Sequence, residues 1–219
     1  MSKLNRLFSE RDRAAVREAT AAAESKTGAE VVSVVVARCD AYDEAAWKAA
    51  ALGAVAAALA AALWFAIAGP WRLPGAVALA LPAVAGTGLG YLAAVAWPAF
   101  TRALVAPEVL DLRVERRAAQ AFQDEEIGAT RGSTGVLVFL ALFEHRVRIV
   151  ADRGVAARVD AAAWRPIADD LARGMRQGRA AAALVEAVTA CGELLAAAGV
   201  ARTPDDVDEL SDEVRLSDD

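Results

Sequence analysis

The chain has 219 residues, 57% of them apolar but only 6% aromatic, and a formal net charge of −5. Alanine supplies about a quarter of it, well above ordinary globular usage. The length suits one domain with room for an added segment, the apolar content excludes a mostly disordered chain, and the lack of a basic stripe or aromatic-rich motif excludes nucleic acid as an expected partner.

The charges are unevenly spread. Residues 1–48 carry eight basic and eight acidic side chains, residues 49–101 carry Arg72 alone, and residues 102–219 carry fifteen basic and twenty-one acidic ones. An ordinary soluble surface does not leave 53 consecutive residues with one charge. The last seventeen residues, from Thr203, hold eight acids and only Arg215. The acidity is therefore a property of the tail, 201–219, which is expected to be disordered. Cys39 and Cys191 have no zinc spacing around them and read as reduced, partly buried thiols.

The N-terminus leads into a charged helix pattern with no apolar h-region, so no cleavable signal is expected. Ser9, followed three residues on by Asp12, reads as a capping box that starts a helix running to Lys26. Thr27-Gly28 stops it, with Gly28 expected in the left-handed conformation. Residues 30–37 form a near-continuous β-branched run, the pattern of a strand buried on both faces.

A polar turn, Asp40 to Glu44, precedes the charge-free segment. Ala49 to Gly69 is 21 residues, about 31 Å as a helix and enough for a hydrocarbon core. Gly69-Pro-Trp-Arg-Leu-Pro74 breaks it, and Gly75 to Phe100 is a second run of similar length, so the segment 49–101 is expected to be a two-helix transmembrane hairpin over 49–69 and 75–100. Trp47, Trp71 and Trp97 sit at the ends of these runs, as in an interfacial aromatic belt, beside the flanking cations Lys48, Arg72 and Arg102. Trp64 reads as a packing residue. Gly86 and Gly90 are spaced for close helix approach, with Ala54, Ala57, Ala58 and Ala61 as a small-residue partner face. A buried core hairpin is the competing reading, but a domain of this size cannot easily enclose two complete helices. Arg38, Lys48, Arg102, Arg113, Arg116 and Arg117 lie toward the outer ends and only Arg72 lies in the tip. The positive-inside bias then predicts a multi-pass protein of the inner (cytoplasmic) membrane with both termini cytoplasmic.

Pro107 opens a further helix, with Val109, Leu112, Ala119 and Phe122 facing inward. Residues 135–142 and 147–151 read as strands joined by the turn Phe143-Glu-His-Arg146. Asp152-Arg-Gly154 is a sharp bend, Asp160 caps a helix through Trp164, Ile167, Leu171 and Met175, and Gly178 separates it from a final helix over 180–198 that ends at Gly199. Strand 30–37 needs the two later strands as partners. The hairpin is therefore an insertion into one α/β domain made of 1–48 and 102–200.

Thr27-Gly-Ala-Glu-Val-Val32 with its valine strand, Ser133-Thr-Gly-Val-Leu-Val-Phe-Leu-Ala141, Arg146-Val-Arg-Ile-Val-Ala-Asp-Arg-Gly154 and the Arg173-Gly174 and Gln177-Gly-Arg179 steps follow one another in an order that resembles the TPM domain family. The likeness runs from Phe8 to Gly199 without the hairpin. It implies a three-layer α/β/α sandwich with a mixed sheet. It also implies a binding site for calcium or another divalent ion in some members, so that calcium or magnesium is the cofactor to expect here if any, and an acid phosphatase activity proposed for others. This chain departs from the family at both acidic positions. The family's Asp-Asn-Gly is Ser133-Thr134-Gly135 here, and Asp152 has no acid immediately after its turn. The remaining oxygens are Asp152, the Thr134 hydroxyl and Asp124, Glu125 or Glu126, of which Asp152, Thr134 and Glu126 form the candidate metal set; the competing reading of 124–126 is a solvated helix end.

His145 in a hairpin turn reads as surface, and no nucleophilic triad can be assembled around it. Asp169 and Asp170 lie about 100° apart on a helix and cannot make one carboxylate pair. The leading reading is a non-enzymatic, membrane-anchored module for interaction or assembly, whose partners are the lipid bilayer and an unidentified membrane or cytoplasmic protein; a homo-oligomer is compatible with it. The runner-up is a divalent-metal-dependent phosphatase-like hydrolase using Asp152. A transporter is a weak third, since two helices without an intramembrane charge make no evident pathway.

Overall fold

The computed structural model describes residues 4, 7–69, 75–130, 132–201 and 209–218. It divides the chain into two compact units, Met1–Asp40 with Asp111–Asp219, and Ala41–Leu110.

The first unit opens with helix α1 (Glu10–Glu24). Ser9 and Asp12 close a full capping box: Asp12 N–H donates to Ser9 Oγ at 3.3 Å and Ser9 N–H to Asp12 Oδ2 at 2.9 Å. Strand β1 (Val31–Val36) follows. Gly28 is not among the residues with positive φ, because α1 already ends at Ser25 in a right-handed conformation. After helix α5 (Pro107–Asp124) come β2 (Val136–Ala141) and β3 (Arg146–Ala151), then the short helix α6 (Arg153–Ala156), α7 (Trp164–Arg176) and α8 (Ala180–Ala197).

β1 and β2 are parallel and β2 and β3 antiparallel, in the order β3-β2-β1-β4 with β4 at Arg215–Ser217, so the sheet is mixed. β1 and β2 are buried at every position because helices cover both faces. Val31, Val35, Val136, Val138 and Leu140 face a core with Val16 of α1, Leu171 of α7 and Leu184, Val188 and Leu195 of α8. Val32, Val34, Val36, Leu137, Phe139 and Ala141 face Val114, Ala118 and Ala121 of α5. Alternate residues of each strand thus feed opposite layers, and the unit is an α/β/α sandwich.

The tail differs from its expectation. Arg215–Ser217 form a fourth strand, β4, parallel to β1. Leu210, Val214 and Leu216 pack against the two cores, and Arg215 Nε meets Glu125 Oε2 at 2.8 Å, so the last residues bury apolar surface despite their acidity. Thr203 to Asp208 lie outside the described residues.

The second unit holds helices α2 (Asp43–Ala68), α3 (Gly75–Ala96) and α4 (Pro98–Leu104). α2 starts six residues before Ala49, its first turn taking in Asp43 and Glu44, which favour a helix N-terminus. The second apolar run is not one helix to Phe100: Trp97 is extended, at φ −118 and ψ 96, because the following Pro98 disfavours the α conformation there. Pro82 is accommodated inside α3. Three described helices, Asp43–Ala68, Gly75–Ala96 and Ala180–Ala197, are long and apolar enough to cross a membrane. They are used differently. α8 buries Leu184, Val188, Cys191 and Leu195 in the sandwich core, whereas Leu59, Leu63, Ile67, Val84, Leu89 and Leu92 of α2 and α3 are exposed.

Candidate functional site

Two of the candidate cation residues, Asp152 and Thr134, lie where β3 leaves the sheet. Val136 is opposite Ala151, so the chain on either side brings Gly135 and Asp152 together, and Asp152 N–H donates to Gly135 O at 2.9 Å. Gly154 N–H donates to Ser133 O at the same distance. The loop presses against this corner. A Cβ on Gly154 would stand 2.3 Å from Gly132 O, and one on Gly135 would stand 2.4 Å from Ile127 O, so both positions need glycine for want of space.

Asp152 divides its carboxylate between two environments. Oδ1 accepts from Arg153 N–H at 2.7 Å and caps α6, which replaces the bare bend read from the sequence. Among the described residues Oδ2 is buried with no hydrogen-bond partner, and it faces the backbone of Gly128, whose added Cβ would lie 3.9 Å away. Thr134 is half-buried one residue from Gly135; its N–H donates to Thr130 Oγ1 at 3.1 Å. Glu126 is exposed, in the left-handed conformation at φ 52, ahead of a short 3-10 turn at Ile127–Ala129. The corner thus joins Asp152 to the loop carrying Thr134. Among the described residues, no three His, Cys, Asp or Glu side chains converge as a ligand set. Calcium takes six to eight oxygens with several carboxylates. One orphaned carboxylate oxygen and one hydroxyl do not fit it.

Glu144 was legible only as a turn residue. It is fully buried, and its Oε1 accepts from Cys39 N–H at 2.8 Å, tying the end of β1 to the β2–β3 turn. Beside them the Arg38 guanidinium stacks 4.1 Å above the Phe143 ring, and His145 takes a left-handed φ of 54 in the same turn. Burial first, then the Glu144 charge, pushes the Cys39 thiol far up, against a smaller opposing pull from Arg117. Burial pushes Cys191 up to about 12. Neither cysteine forms a disulfide, and burial disfavours the thiolate of both.

In the helical unit, Gly86 lies against Gly53 and Ala57, and Gly90 against Ala49 and Ala50. Gly53 escaped the sequence reading, which looked for alanines opposite Gly86. Trp47 and Trp97 are both exposed, and the Trp47 ring lies 5.9 Å from that of Tyr91. Lys48 Nζ reaches Leu104 O at 3.5 Å, and Arg102 sits in α4. Trp71 and Arg72 lie outside the described residues.

A family model described as the TPM domain matches residues 102–194. Among solved structures, the chain is similar to the NMR structure of the BA42 protein from the psychrophilic bacterium Bizionia argentinensis, with a TM-score of 0.58 and 16% identity, over 99% of this chain and 100% of that one. At that identity the likeness concerns the fold. No curated protein matches the chain. The TPM domain model thus matches residues 102–194, under half of the chain, and the order of motifs and the mixed sheet between two helical layers agree with that match.

Proposed function

We propose that this protein is a TPM domain anchored in the inner membrane by the α2–α3 hairpin, acting as a non-catalytic interaction or assembly module on the cytoplasmic face. The observation that carries the anchor is the contrast within the hairpin. Glycine backbones touch inside it, while leucine, isoleucine and valine side chains face outward from both helices. In water this arrangement exposes a large continuous apolar surface; in lipid it is the favoured one, because association there depends on close backbone packing. The non-catalytic reading is supported by the corner around Asp152, where the one carboxylate already serves as a helix cap.

The test is fractionation of expressing cells, with cysteines placed at the hairpin tip and near the C-terminus. The protein should resist extraction by urea and dissolve in detergent. Replacing residues 41–110 by a short linker should release it to the soluble fraction. A membrane-impermeant thiol reagent should label the tip in intact cells and the C-terminal site only after lysis. Extraction by urea sinks the anchor, and the reverse labelling pattern sinks the orientation.

The alternative, a metal-dependent phosphatase-like hydrolase, is favoured by the orphaned Asp152 Oδ2 alone. Calorimetric titration of the full chain in detergent with calcium and magnesium separates the two. Binding abolished by Asp152→Ala, together with phosphate-ester turnover, would favour the hydrolase.

A further inference from the structure

Two arginines of β3 share one carboxylate. Arg146 and Arg148 alternate with Val147, so they leave the strand on one face, opposite Ala141 and Phe139 of β2. Val114 and Ala118 of α5 cover that face, and β3 stands at the end of the sheet order, so the two side chains emerge half-buried beside the helix. Both end on Asp111 Oδ1: Arg146 Nε donates at 2.9 Å and Arg148 Nη2 at 3.2 Å. Arg148 Nη1 also donates to Val147 O at 3.1 Å. Two guanidiniums bring ten N–H groups and two positive charges to a carboxylate with about four lone-pair sites and one negative charge.

The surroundings are basic too. Arg113 of α5 is ion-paired with Asp40, Arg38 stacks on Phe143, and α5 adds Arg116 and Arg117 against Glu115. The buried Glu144 is engaged by Cys39 N–H. Arginines therefore outnumber carboxylates at this end of the sandwich. The chain leaves the sandwich unit after Asp40 and re-enters it at Asp111, so the two carboxylates that hold arginines here are the residues where the helical unit is attached. Chain length alone keeps Asp40 within about 11 Å of Asp43, where α2 begins.

We propose that Arg146 and Arg148, held side by side by Asp111, bind the phosphate of an anionic lipid headgroup, an assignment that rests on the reading of the α2–α3 hairpin as a membrane anchor. A guanidinium grips phosphate oxygens with two parallel N–H bonds, and a pair of them fits one phosphate better than it fits a single carboxylate oxygen. Asp111 keeps the pair together, at a mutual repulsion that a bound anion relieves. The anchor supplies the ligand at high local concentration, and each arginine near an anionic leaflet adds its own attraction.

The test is hydrogen exchange followed by mass spectrometry on the full chain in phosphatidylcholine nanodiscs, with and without phosphatidylglycerol. With phosphatidylglycerol, protection of 143–150 should rise by about fivefold or more, the effect of one arginine at an anionic surface. Arg146→Gln combined with Arg148→Gln should cut that rise to under about twofold. Arg165→Gln with Arg176→Gln removes the same charge from α7, which packs on the other core, and should keep the rise. No rise in the wild type overturns the site, as does an equal rise in the Arg146/Arg148 variant. Should that variant fail to fold, a wild-type rise that survives an increase in ionic strength from about 0.05 to about 0.5 M overturns it as well. Millimolar inorganic phosphate added to phosphatidylcholine discs should change nothing; a rise equal to that with the lipid would assign the site to free phosphate and overturn the headgroup. Entry into phosphatidylcholine discs depends on the hairpin alone, so a chain that stays out overturns the anchor and this site with it, whereas entry without the rise overturns the site only.

Discussion

Gly53 and Gly86 meet backbone to backbone: a Cβ on Gly53 would stand 2.1 Å from Gly86 O, and one on Gly86 would stand 2.2 Å from Gly53 O. No rotamer change relieves such a contact, because the obstructing atoms are main chain. Gly53→Ala or Gly86→Ala must therefore push α2 and α3 apart, at a cost of about 1–3 kcal/mol. Gly88 meets nothing within 4 Å and serves as the control. Thermal unfolding in nanodiscs should show a lowered Tm for the first two variants and little change for Gly88→Ala. Equal behaviour of the three would show that the helices do not pack through these glycines.

The Asp152 carboxylate has a structural duty that can be measured apart from any ligand. Asp152→Ala removes the acceptor for Arg153 N–H and should cost about 1 kcal/mol, the usual loss for a helix cap. Asp152→Asn keeps a capping oxygen and should cost less. Chemical denaturation measures both. Repeating it with calcium or magnesium gives a second result: a wild-type midpoint that does not move with either ion agrees with the poor ligand set, while a rise lost in Asp152→Ala would establish a bound cation.

Glu144 offers a sharper contrast. Its Oε1 accepts from Cys39 N–H across 105 residues of sequence, and the side chain is fully buried. Glu144→Ala leaves that amide without its acceptor and should cost about 1–3 kcal/mol, and Glu144→Gln, which keeps the oxygen, should cost less. Urea unfolding midpoints distinguish them. Similar losses in both variants would mean that packing volume, rather than the hydrogen bond, sets the cost.

Elements carried by local pattern were legible in the sequence. The runs 31–36 and 136–141 have branched side chains at most positions, which signals burial on both faces whatever the surroundings. Ser9 and Asp12 announce a helix start through atoms three residues apart. The tail was misread because composition outweighs sparse anchors: Leu210, Val214 and Leu216 stand among eight acids, and their docking depends on a sheet edge far away in sequence. Gly53 was hidden by its neighbours, since many residues of α2 are small and only the crossing with α3 singles one out. Asp152 was named from a motif, but that its Oδ2 faces Gly128 and lacks a partner among the described residues is a fact of the fold.

Glu24 makes stability depend on pH in a definite direction. Its carboxyl is held at about 9 in the folded chain against an ordinary 4.5, chiefly by burial, so folding takes up a proton between those values. The stabilisation from this group is complete below about pH 4.5, declines as pH rises, and is gone once pH passes about 9. Other carboxylates contribute their own pH dependence, which the difference between wild type and Glu24→Gln removes. Glutamine resembles the protonated acid and does not titrate. The two proteins should therefore melt at similar temperatures near pH 5, the wild type should fall progressively below the variant toward pH 9, and the gap should level off above it. Scanning calorimetry across that range gives the curve. A gap that stays constant would show that Glu24 titrates alike in the folded and unfolded chains.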